Sequence, residues 1–347
     1  MGSYEELKML QKLPLEVKIK KSQQRIREWV NHFGLKNTYI SFSGGKDSTA
    51  LLDIVRRIYP DITAIFCNTG LEYPEIVSFV KKTENVDILR PDRNFKEIIT
   101  KFGYPVISKE VSNVICEARK GMLAGKYTYR MQRIEGTLLD KQGNLSRYNC
   151  PQWKFLLNAP FRISDKCCQE MKKKPFKKIK KAGIVGTMAE ESRLRKTNWI
   201  RFGCNAFEAK RPLSSPLSFW TNQDILTYLL TYNLSISDVY GNIVVDDNSG
   251  INGQLNICDI LGDYRGCKLK TTGCNRTGCM FCLYGAHLEK GVGRLERMKI
   301  THPKQYDFVM RGGKFDSEGM WIPANGGLGF KFVIDWLNEN GNLNIKY

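Results

Sequence analysis

The sequence contains no long apolar run. Across 347 residues it has no stretch of about 18 uncharged hydrophobic residues, which is the length that a membrane-spanning helix needs. Residues 1–20 also lack the apolar segment of a secretory signal. We therefore expect a cytoplasmic protein with no membrane partner. Hydrophobic residues make up 42% and charged residues 26% of the chain, which excludes a disordered or collagen-like protein.

Acidic residues are few relative to basic ones. The chain has 54 Lys and Arg against 35 Asp and Glu, a formal net charge of +19. Such an excess attracts polyanions through a long-range field. Solubility, or the binding of small phosphorylated ligands, explains the charge equally well. Charge alone therefore leaves nucleic acid, either tRNA or DNA, open as a partner.

Short apolar runs alternate with segments of helical periodicity over much of the chain. This alternation predicts an α/β fold with a doubly wound, mostly parallel sheet. The predicted strands are 38–42, 62–67, 86–89 and 183–187, and helices are predicted over 20–34, 48–58 and 74–82. The predicted domains are an N-terminal helical segment (1–37), a nucleotide-binding α/β domain (38–240, with 104–168 as a lid insertion) and a C-terminal cysteine-rich segment (241–347). No pattern in the sequence indicates the oligomeric state.

A glycine-rich loop, residues 43–48 (SGGKDS), joins the first predicted strand to the next helix. Two glycines allow a tight turn, and the N-terminus of the following helix carries a partial positive charge that favours phosphate. The Walker spacing is absent, so transfer of a γ-phosphate is not predicted. The pattern predicts a phosphate-binding loop in which Lys46 supplies charge and Asp47 binds Mg²⁺. A plain strand-to-helix turn is the alternative.

The loop resembles that of the PP-loop superfamily of ATP pyrophosphatases, whose Ser-Gly-Gly-x-Asp-Ser loop holds the β,γ-pyrophosphate while ATP is cut at the α-phosphate. The resemblance extends to the phosphoadenylylsulfate (PAPS) reductase family. Residues 67–75 (CNTGLEYPE) look like its Asp-Thr-Gly-x-x-x-Pro-Glu segment. Residues 186–195 (GTMAEESRLR) are similar to its Gly-x-Arg-x-x-x-Ser-x-x-Arg loop, with Met188 where that family has arginine.

The resemblance implies ATP or a related adenine nucleotide and Mg²⁺ as ligands, with Lys46 and Asp47 as the catalytic residues. Arg193 and Arg195 are expected to clamp phosphates through their guanidinium groups. Ion pairing of these arginines with Glu190 or Glu191 is the alternative. The expected nucleotide contacts are Ser41, Phe42, Ser43, Gly44, Gly45, Lys46, Asp47, Ser48, Asn68, Thr69, Gly70, Gly186, Arg193 and Arg195.

Eleven cysteines in one chain point to metal or redox chemistry. Cys279 and Cys282 form a Cys-x-x-Cys knuckle, and Cys167 and Cys168 are adjacent. Together the two pairs look like the four-cysteine signature of the adenylylsulfate reductase branch. That resemblance implies a 4Fe-4S cluster on Cys167, Cys168, Cys279 and Cys282, with Cys274 as a substitute. A structural zinc ion is the alternative, on ligands drawn from Cys258, Cys267, Cys274, Cys279 and Cys282.

The reductases also carry a nucleophilic cysteine in a C-terminal Glu-Cys-Gly-x-His tail, whereas no cysteine follows Cys282 here. This difference, with Met188, disfavours reduction of a sulfonucleotide. We therefore predict an enzyme that cleaves ATP to AMP and pyrophosphate and adenylylates an acceptor, for iron–sulfur-assisted sulfur transfer to nucleic acid from a sulfur donor protein. The alternatives are a sulfonucleotide reductase and a nucleic-acid-binding module with a structural metal.

Overall fold

The computed structural model describes residues 2–209, 211–246, 264 and 266–347. In this part of the chain no helix is both long enough and apolar enough to cross a membrane. The helices in chain order are α1 (Tyr4–Gln11), α2 (Leu15–Phe33), α3 (Lys46–Arg56), α4 (Pro74–Lys82), α5 (Phe95–Phe102), α6 (Lys109–Leu123), α7 (Tyr129–Glu135), α8 (Lys166–Cys168), α9 (Lys174–Lys177), α10 (Arg193–Phe202), α11 (Asn222–Thr231), α12 (Arg294–Thr301), α13 (Pro303–Met310) and α14 (Phe330–Gly341).

The strands are short. In chain order they are β1 (Thr38–Ser41), β2 (Ala64–Cys67), β3 (Val86–Leu89), β4 (Val106–Ile107), β5 (Ala182–Val185), β6 (Asn205–Ala206), β7 (Leu213–Ser214), β8 (Ile243–Val245), β9 (Leu269–Thr271), β10 (Leu283–Tyr284), β11 (Lys314–Phe315) and β12 (Trp321–Ile322). The structure divides the chain into two compact units.

The first unit comprises Met1–Asn68, Glu72–Leu89 and Lys177–Thr277. Its described residues form a six-stranded sheet of order β3-β2-β1-β5-β7-β6. All neighbouring strands are parallel except β6, which runs antiparallel to β7. This confirms the predicted α/β fold with a mostly parallel sheet. Strand order reverses between β1 and β5, and open α/β sheets bind their ligands at such a reversal, beyond the carboxyl ends of the strands.

The central strands of this sheet are apolar because both of their faces are covered. Ile40 and Ala64 are fully buried, and Phe66 is nearly so, which is the pattern expected of inner parallel strands. Helix α3 follows β1 and packs against α2 and α11. The start of α3 is thereby fixed at the carboxyl end of β1.

Residues 241–277 were expected to belong to a separate C-terminal segment, and those that the structure describes lie in the first unit instead. Strand β9 pairs with β8 and packs against α11. The Gln223 side chain accepts the Leu269 N–H at 2.7 Å and donates to the Leu269 carbonyl at 2.9 Å. These bonds attach β9, with β8 paired to it, to the α/β unit.

The second unit comprises Thr69–Leu71, Arg90–Phe176 and Gly278–Tyr347. It includes residues 104–168, expected as a lid insertion, together with the last part of the chain. Its core is aromatic: the Tyr104 ring centroid lies 5.9 Å from that of Phe161 and 5.3 Å from that of Phe330. Tyr104 Oη donates to the Leu328 carbonyl at 2.8 Å. Strand β4 pairs in parallel with β10, so segments distant in sequence share this core.

Candidate functional site

The glycine-rich loop lies between the end of β1 and the start of α3. Gly44 has a φ of +69°, and a Cβ there would stand 2.8 Å from methyl carbons of both Ile76 and Val80 in α4. Only glycine satisfies both the backbone conformation and the close approach of α4. The loop therefore packs closely against α4 at Gly44.

Hydrogen bonds within the loop hold it in shape. The Ser43 N–H donates to Ser48 Oγ at 3.2 Å, and Ser48 Oγ donates to the Gly45 carbonyl at 2.9 Å. Thr49 Oγ1 donates to the same carbonyl at 3.1 Å. The first N–H groups of a helix have no acceptor inside the helix, so those of Asp47 and Ser48 are suited to an anion. The geometry agrees with a phosphate-binding loop formed before any ligand arrives.

Lys46 is buried, with only 3% of its surface exposed. Its Nζ lies 2.7 Å from Asp47 Oδ1, and the Asp47 side chain is 25% exposed. A buried ammonium needs a negative partner. Asp47 supplies one carboxylate, and an entering phosphate would supply further acceptors.

A cavity of about 310 Å³ opens in front of the loop, in the first unit. Gly186, which follows β5, closes one side of it: a Cβ on Gly186 would stand 3.0 Å from the Asp47 carbonyl oxygen. The cavity is lined by Ser41, Ser43, Gly45, Lys46, Asp47, Ser48, Val185, Gly186, Thr187, Glu191, Arg195, Tyr240, Arg276 and Thr277. It lies at the reversal of strand order, where the fold predicts a ligand.

Two arginines of this cavity share one carboxylate. Arg195 and Arg276 both form ion pairs with Glu191, which also accepts the Met188 N–H at 2.9 Å. For Arg195 the structure thus contains the ion pair that the sequence offered as the alternative to phosphate binding. Arg193 is exposed and does not line the cavity.

Six lining residues were not among the expected nucleotide contacts: Val185, Thr187, Glu191, Tyr240, Arg276 and Thr277. Tyr240 Oη accepts the Lys46 N–H at 3.3 Å and shares a 2.7 Å hydrogen bond with Thr277 Oγ1. Burial raises the pKa of the Tyr240 phenol, and the bond to Thr277 opposes the rise. Thr277 precedes the Cys-x-x-Cys knuckle, which was the only signal near it. Nothing in the local sequence marks Tyr240 as a neighbour of the loop.

Six predicted nucleotide contacts lie outside this lining: Phe42, Gly44, Asn68, Thr69, Gly70 and Arg193. Phe42 is buried, and its ring packs 6.3 Å from that of Phe79, so its side chain belongs to the core. Asn68 follows β2 and donates its N–H to the Leu89 carbonyl at 2.9 Å. Thr69 and Gly70 belong to the second unit.

A second cavity in the first unit, of about 510 Å³, also reaches Lys46 and Asp47. Met188, Leu226 and Leu269 give it an apolar wall. Met188 is buried, so the position where the resemblance expects an arginine presents a thioether to this cavity.

All four cysteines expected to hold a cluster belong to the second unit. Burial raises the pKa of Cys167, and the charges of Cys168, Cys279 and Cys282 raise it further. Burial likewise raises the pKa of Cys282 to about 11, with further contributions from Cys279 and Cys168. The four cysteines are therefore close enough that ionisation of the others makes ionisation of Cys167 and Cys282 less favourable.

In their ionised forms these thiolates repel one another, and a bound cation relieves that repulsion, so the donor set suits a thiolate-bound metal or cluster. As they stand, however, the described residues contain no group of three or more His, Cys, Asp or Glu side chains with the spacing of a metal site. A π-helical turn, Gln169–Lys173, directly follows the adjacent cysteine pair. Turns of this kind are frequent at functional sites.

The remaining metal candidates are placed differently. Cys274 belongs to the first unit, where its carbonyl accepts a hydrogen bond from Thr271 Oγ1 at 3.0 Å. Cys267 is disulfide-bonded, so its sulfur is not a thiolate for zinc. Cys258, the other candidate for zinc, lies outside the described residues.

Three solved structures align with this chain at low TM-scores. A PAPS reductase from Candida auris in its phosphate complex has a TM-score of 0.37 at 15% identity, covering 69% of this chain and 91% of that chain. A U34-tRNA thiolase from Methanococcus maripaludis with its 4Fe-4S cluster scores 0.31 at 14% identity, covering 72% and 74%. Candida glabrata FMN adenylyltransferase scores 0.34 at 12% identity, covering 67% and 64%. Scores this low carry no argument about function.

Two uncharacterized proteins of Methanocaldococcus jannaschii are similar in sequence. One is 34% identical over 125 residues, covering 34% of this chain, and the other is 32% identical over 96 residues, covering 24%. The matched parts span 30% and 20% of the lengths of these relatives. The family model of the phosphoadenosine phosphosulfate reductase domain matches residues 37–134. The chain is thus similar to the phosphoadenosine phosphosulfate reductase domain over residues 37–134, which include the glycine-rich loop.

Proposed function

We propose that this chain binds ATP in the cavity beside loop 43–48 and cleaves it between the α- and β-phosphates, transferring AMP to an acceptor oxygen. The observation that carries the proposal is the buried ammonium of Lys46 at a helix N-terminus that faces the cavity. A helix N-terminus and a buried cation together favour a polyanion over a neutral ligand.

In the proposed reaction, the acceptor oxygen attacks the α-phosphorus, the bond to the bridging oxygen breaks, and pyrophosphate leaves with that bond's electron pair. The proton of the acceptor passes to solvent. Lys46 and the first amides of α3 stabilise the charge that develops on pyrophosphate. Asp47 presents a carboxylate oxygen to the cavity, and one carboxylate together with phosphate oxygens is a common way to hold Mg²⁺. On nucleotide binding, Arg195 and Arg276 would break their ion pairs with Glu191 and bind phosphate oxygens instead.

The acceptor is proposed to be nucleic acid, either tRNA or DNA, with sulfur from a donor protein later displacing AMP. The net charge of +19 supports a polyanionic acceptor. Cys167, Cys168, Cys279 and Cys282 are proposed to hold a 4Fe-4S cluster, which supplies sulfur or redox chemistry when bound. Iron and sulfide analysis after anaerobic purification tests this part, and a colourless, zinc-loaded protein would contradict it.

The test of ATP cleavage follows the products of ATP labelled at the α-phosphate, with wild type, Lys46→Ala and Asp47→Ala. Lys36→Ala is the matched control, since Lys36 is an exposed lysine just before β1. We expect AMP or adenylylated acceptor together with pyrophosphate, a loss of about 100-fold in each loop variant, and no change in the control. ADP and phosphate as products, or full turnover in both loop variants, would contradict the proposal.

A second candidate is a sulfonucleotide reductase, favoured by the family match over residues 37–134. The buried Met188 weighs against it, because a thioether cannot pair with the anionic groups of such a substrate. Sulfite release from adenylylsulfate or PAPS with a thiol donor would establish this alternative. Its absence, with pyrophosphate release from ATP, would exclude it.

A further inference from the structure

The second unit carries an exposed surface in which aromatic and basic side chains alternate. We name it the aromatic–basic face and define it by Tyr127, Tyr129, Tyr148, Lys126, Arg130 and Arg147. The three tyrosines are 63%, 53% and 53% exposed. Aromatic side chains contribute large contact areas in interfaces, and three exposed tyrosines within about twenty residues leave such area available to a ligand.

Two of the tyrosines are already paired with guanidinium groups. The Arg130 guanidinium carbon lies 4.6 Å from the centroid of the Tyr129 ring, and that of Arg147 lies 5.1 Å from the Tyr148 ring. Each pair presents a flat aromatic surface beside a fixed positive charge. This is the combination that binds an unstacked base and its phosphate.

The backbone under these side chains is held firmly. Helix α7, on which Tyr129 and Arg130 lie, packs against α6. The buried Arg133 donates to the Tyr148 carbonyl at 2.8 Å and to Glu110 at 2.5 Å. Tyr127 Oη donates to Glu135 at 2.5 Å. The rings are therefore exposed on an ordered framework, which lowers the entropy cost of binding.

The positive charge of this segment favours an anionic ligand of the aromatic–basic face over a second copy of the chain. Residues 120–148 contain six Lys and Arg against two Asp and Glu, and Lys126 and Arg147 are exposed. A second copy of the chain would place one basic face against another, which like-charge repulsion disfavours. A polyanion with flat apolar faces complements both features.

We infer that the aromatic–basic face binds single-stranded nucleic acid, with bases stacked on the tyrosines and phosphates near Lys126, Arg130 and Arg147. The inference rests on the proposed function for its biological role, because it names the surface that receives the nucleic-acid acceptor. Binding itself requires neither ATP nor turnover. Recognition by stacking predicts a preference for single strands over a duplex of the same composition.

The test measures fluorescence anisotropy of labelled 20-nucleotide single strands of RNA and of DNA, with the full chain, over a series of salt concentrations. Tyr129→Ala and Tyr148→Ala should each weaken binding about tenfold, while Tyr129→Phe, which keeps the ring, should bind like wild type. Lys126→Gln should lower the salt slope by about 0.7. Tyr4→Ala is the matched control, because Tyr4 is 43% exposed and pairs with Lys8 in the first unit.

Thermal unfolding and ATP binding measured on the same variants separate this inference from the proposed function. We expect both to stay at wild-type values in the tyrosine variants. Asp47→Ala should bind nucleic acid normally even where it no longer cleaves ATP. Equal affinity of Tyr129→Ala and wild type, equal binding of duplex and single strand, or tyrosine-dependent self-association without nucleic-acid binding would overturn the inference.

Discussion

Replacing Gly44 by alanine tests whether the loop depends on its contact with α4. The substitution has two costs that the structure separates. A Cβ at φ +69° costs about 1–2 kcal/mol as left-handed backbone, and a Cβ 2.8 Å from methyl groups of Ile76 and Val80 adds about 1–3 kcal/mol of overpacking. We expect the free energy of unfolding to fall by about 2–5 kcal/mol. Because the loop must move to relieve the clash, ATP affinity should fall as well.

Gly319→Ala is the control for the backbone cost. Gly319 has a φ of +72°, and among the described residues no atom beyond its chain neighbours lies within 4 Å of the place that a Cβ would occupy. Its replacement should therefore cost only about 1–2 kcal/mol. Urea unfolding of both variants gives the comparison. Adding Val80→Ala to Gly44→Ala removes one of the clashing methyl groups and should restore part of the ATP affinity. Equal destabilisation by the two glycine substitutions, or unchanged ATP affinity in Gly44→Ala, would refute the reasoning.

Arg276→Gln should weaken ATP binding about tenfold by calorimetry, since it removes one charged partner for phosphate, and unchanged affinity would place Arg276 outside the site. Glu191→Gln should strengthen ATP binding, because it releases Arg195 and Arg276 from their shared carboxylate, and a weaker affinity would contradict this. Tyr240→Phe should lower the free energy of unfolding by about 1–2 kcal/mol, because the Lys46 N–H loses its acceptor. An unchanged midpoint of urea unfolding would contradict this expectation. Desolvation raises the pKa of Cys204, so its thiol should be alkylated slowly at pH 8; reaction with iodoacetamide at the rate of an unperturbed thiol would contradict the raised pKa.

The parts of the fold that the sequence predicts well are those set by local pattern. The helix at Pro74–Lys82 and the strand at Val86–Leu89 have the predicted bounds, because proline at a helix start and a short apolar run are local signals. The glycine-rich loop was predicted for the same reason. Its strand, turn and helix are consecutive in the chain, so the local sequence predicts both the motif and the strand-to-helix geometry that the motif needs.

The parts that could not be predicted depend on contacts between distant residues. Tyr240 and Lys46 are 194 positions apart, and the ion pair of the buried Lys18 with Asp224 spans 206 positions. The pairing of Glu191 with Arg276, across 85 positions, changes the electrostatics of the cavity in a way that no local pattern indicates. The division into units likewise depends on which aromatic side chains share a core.

The position of bound nucleotide tests the central claim most directly. A crystal structure of the full chain with Mg²⁺ and an ATP analogue that cannot be cut between the α- and β-phosphates gives that position. We predict the β- and γ-phosphates within hydrogen-bonding distance of the amides of Asp47 and Ser48 and of Lys46 Nζ. Phosphates bound elsewhere, with Lys46 still paired only to Asp47, would contradict the account.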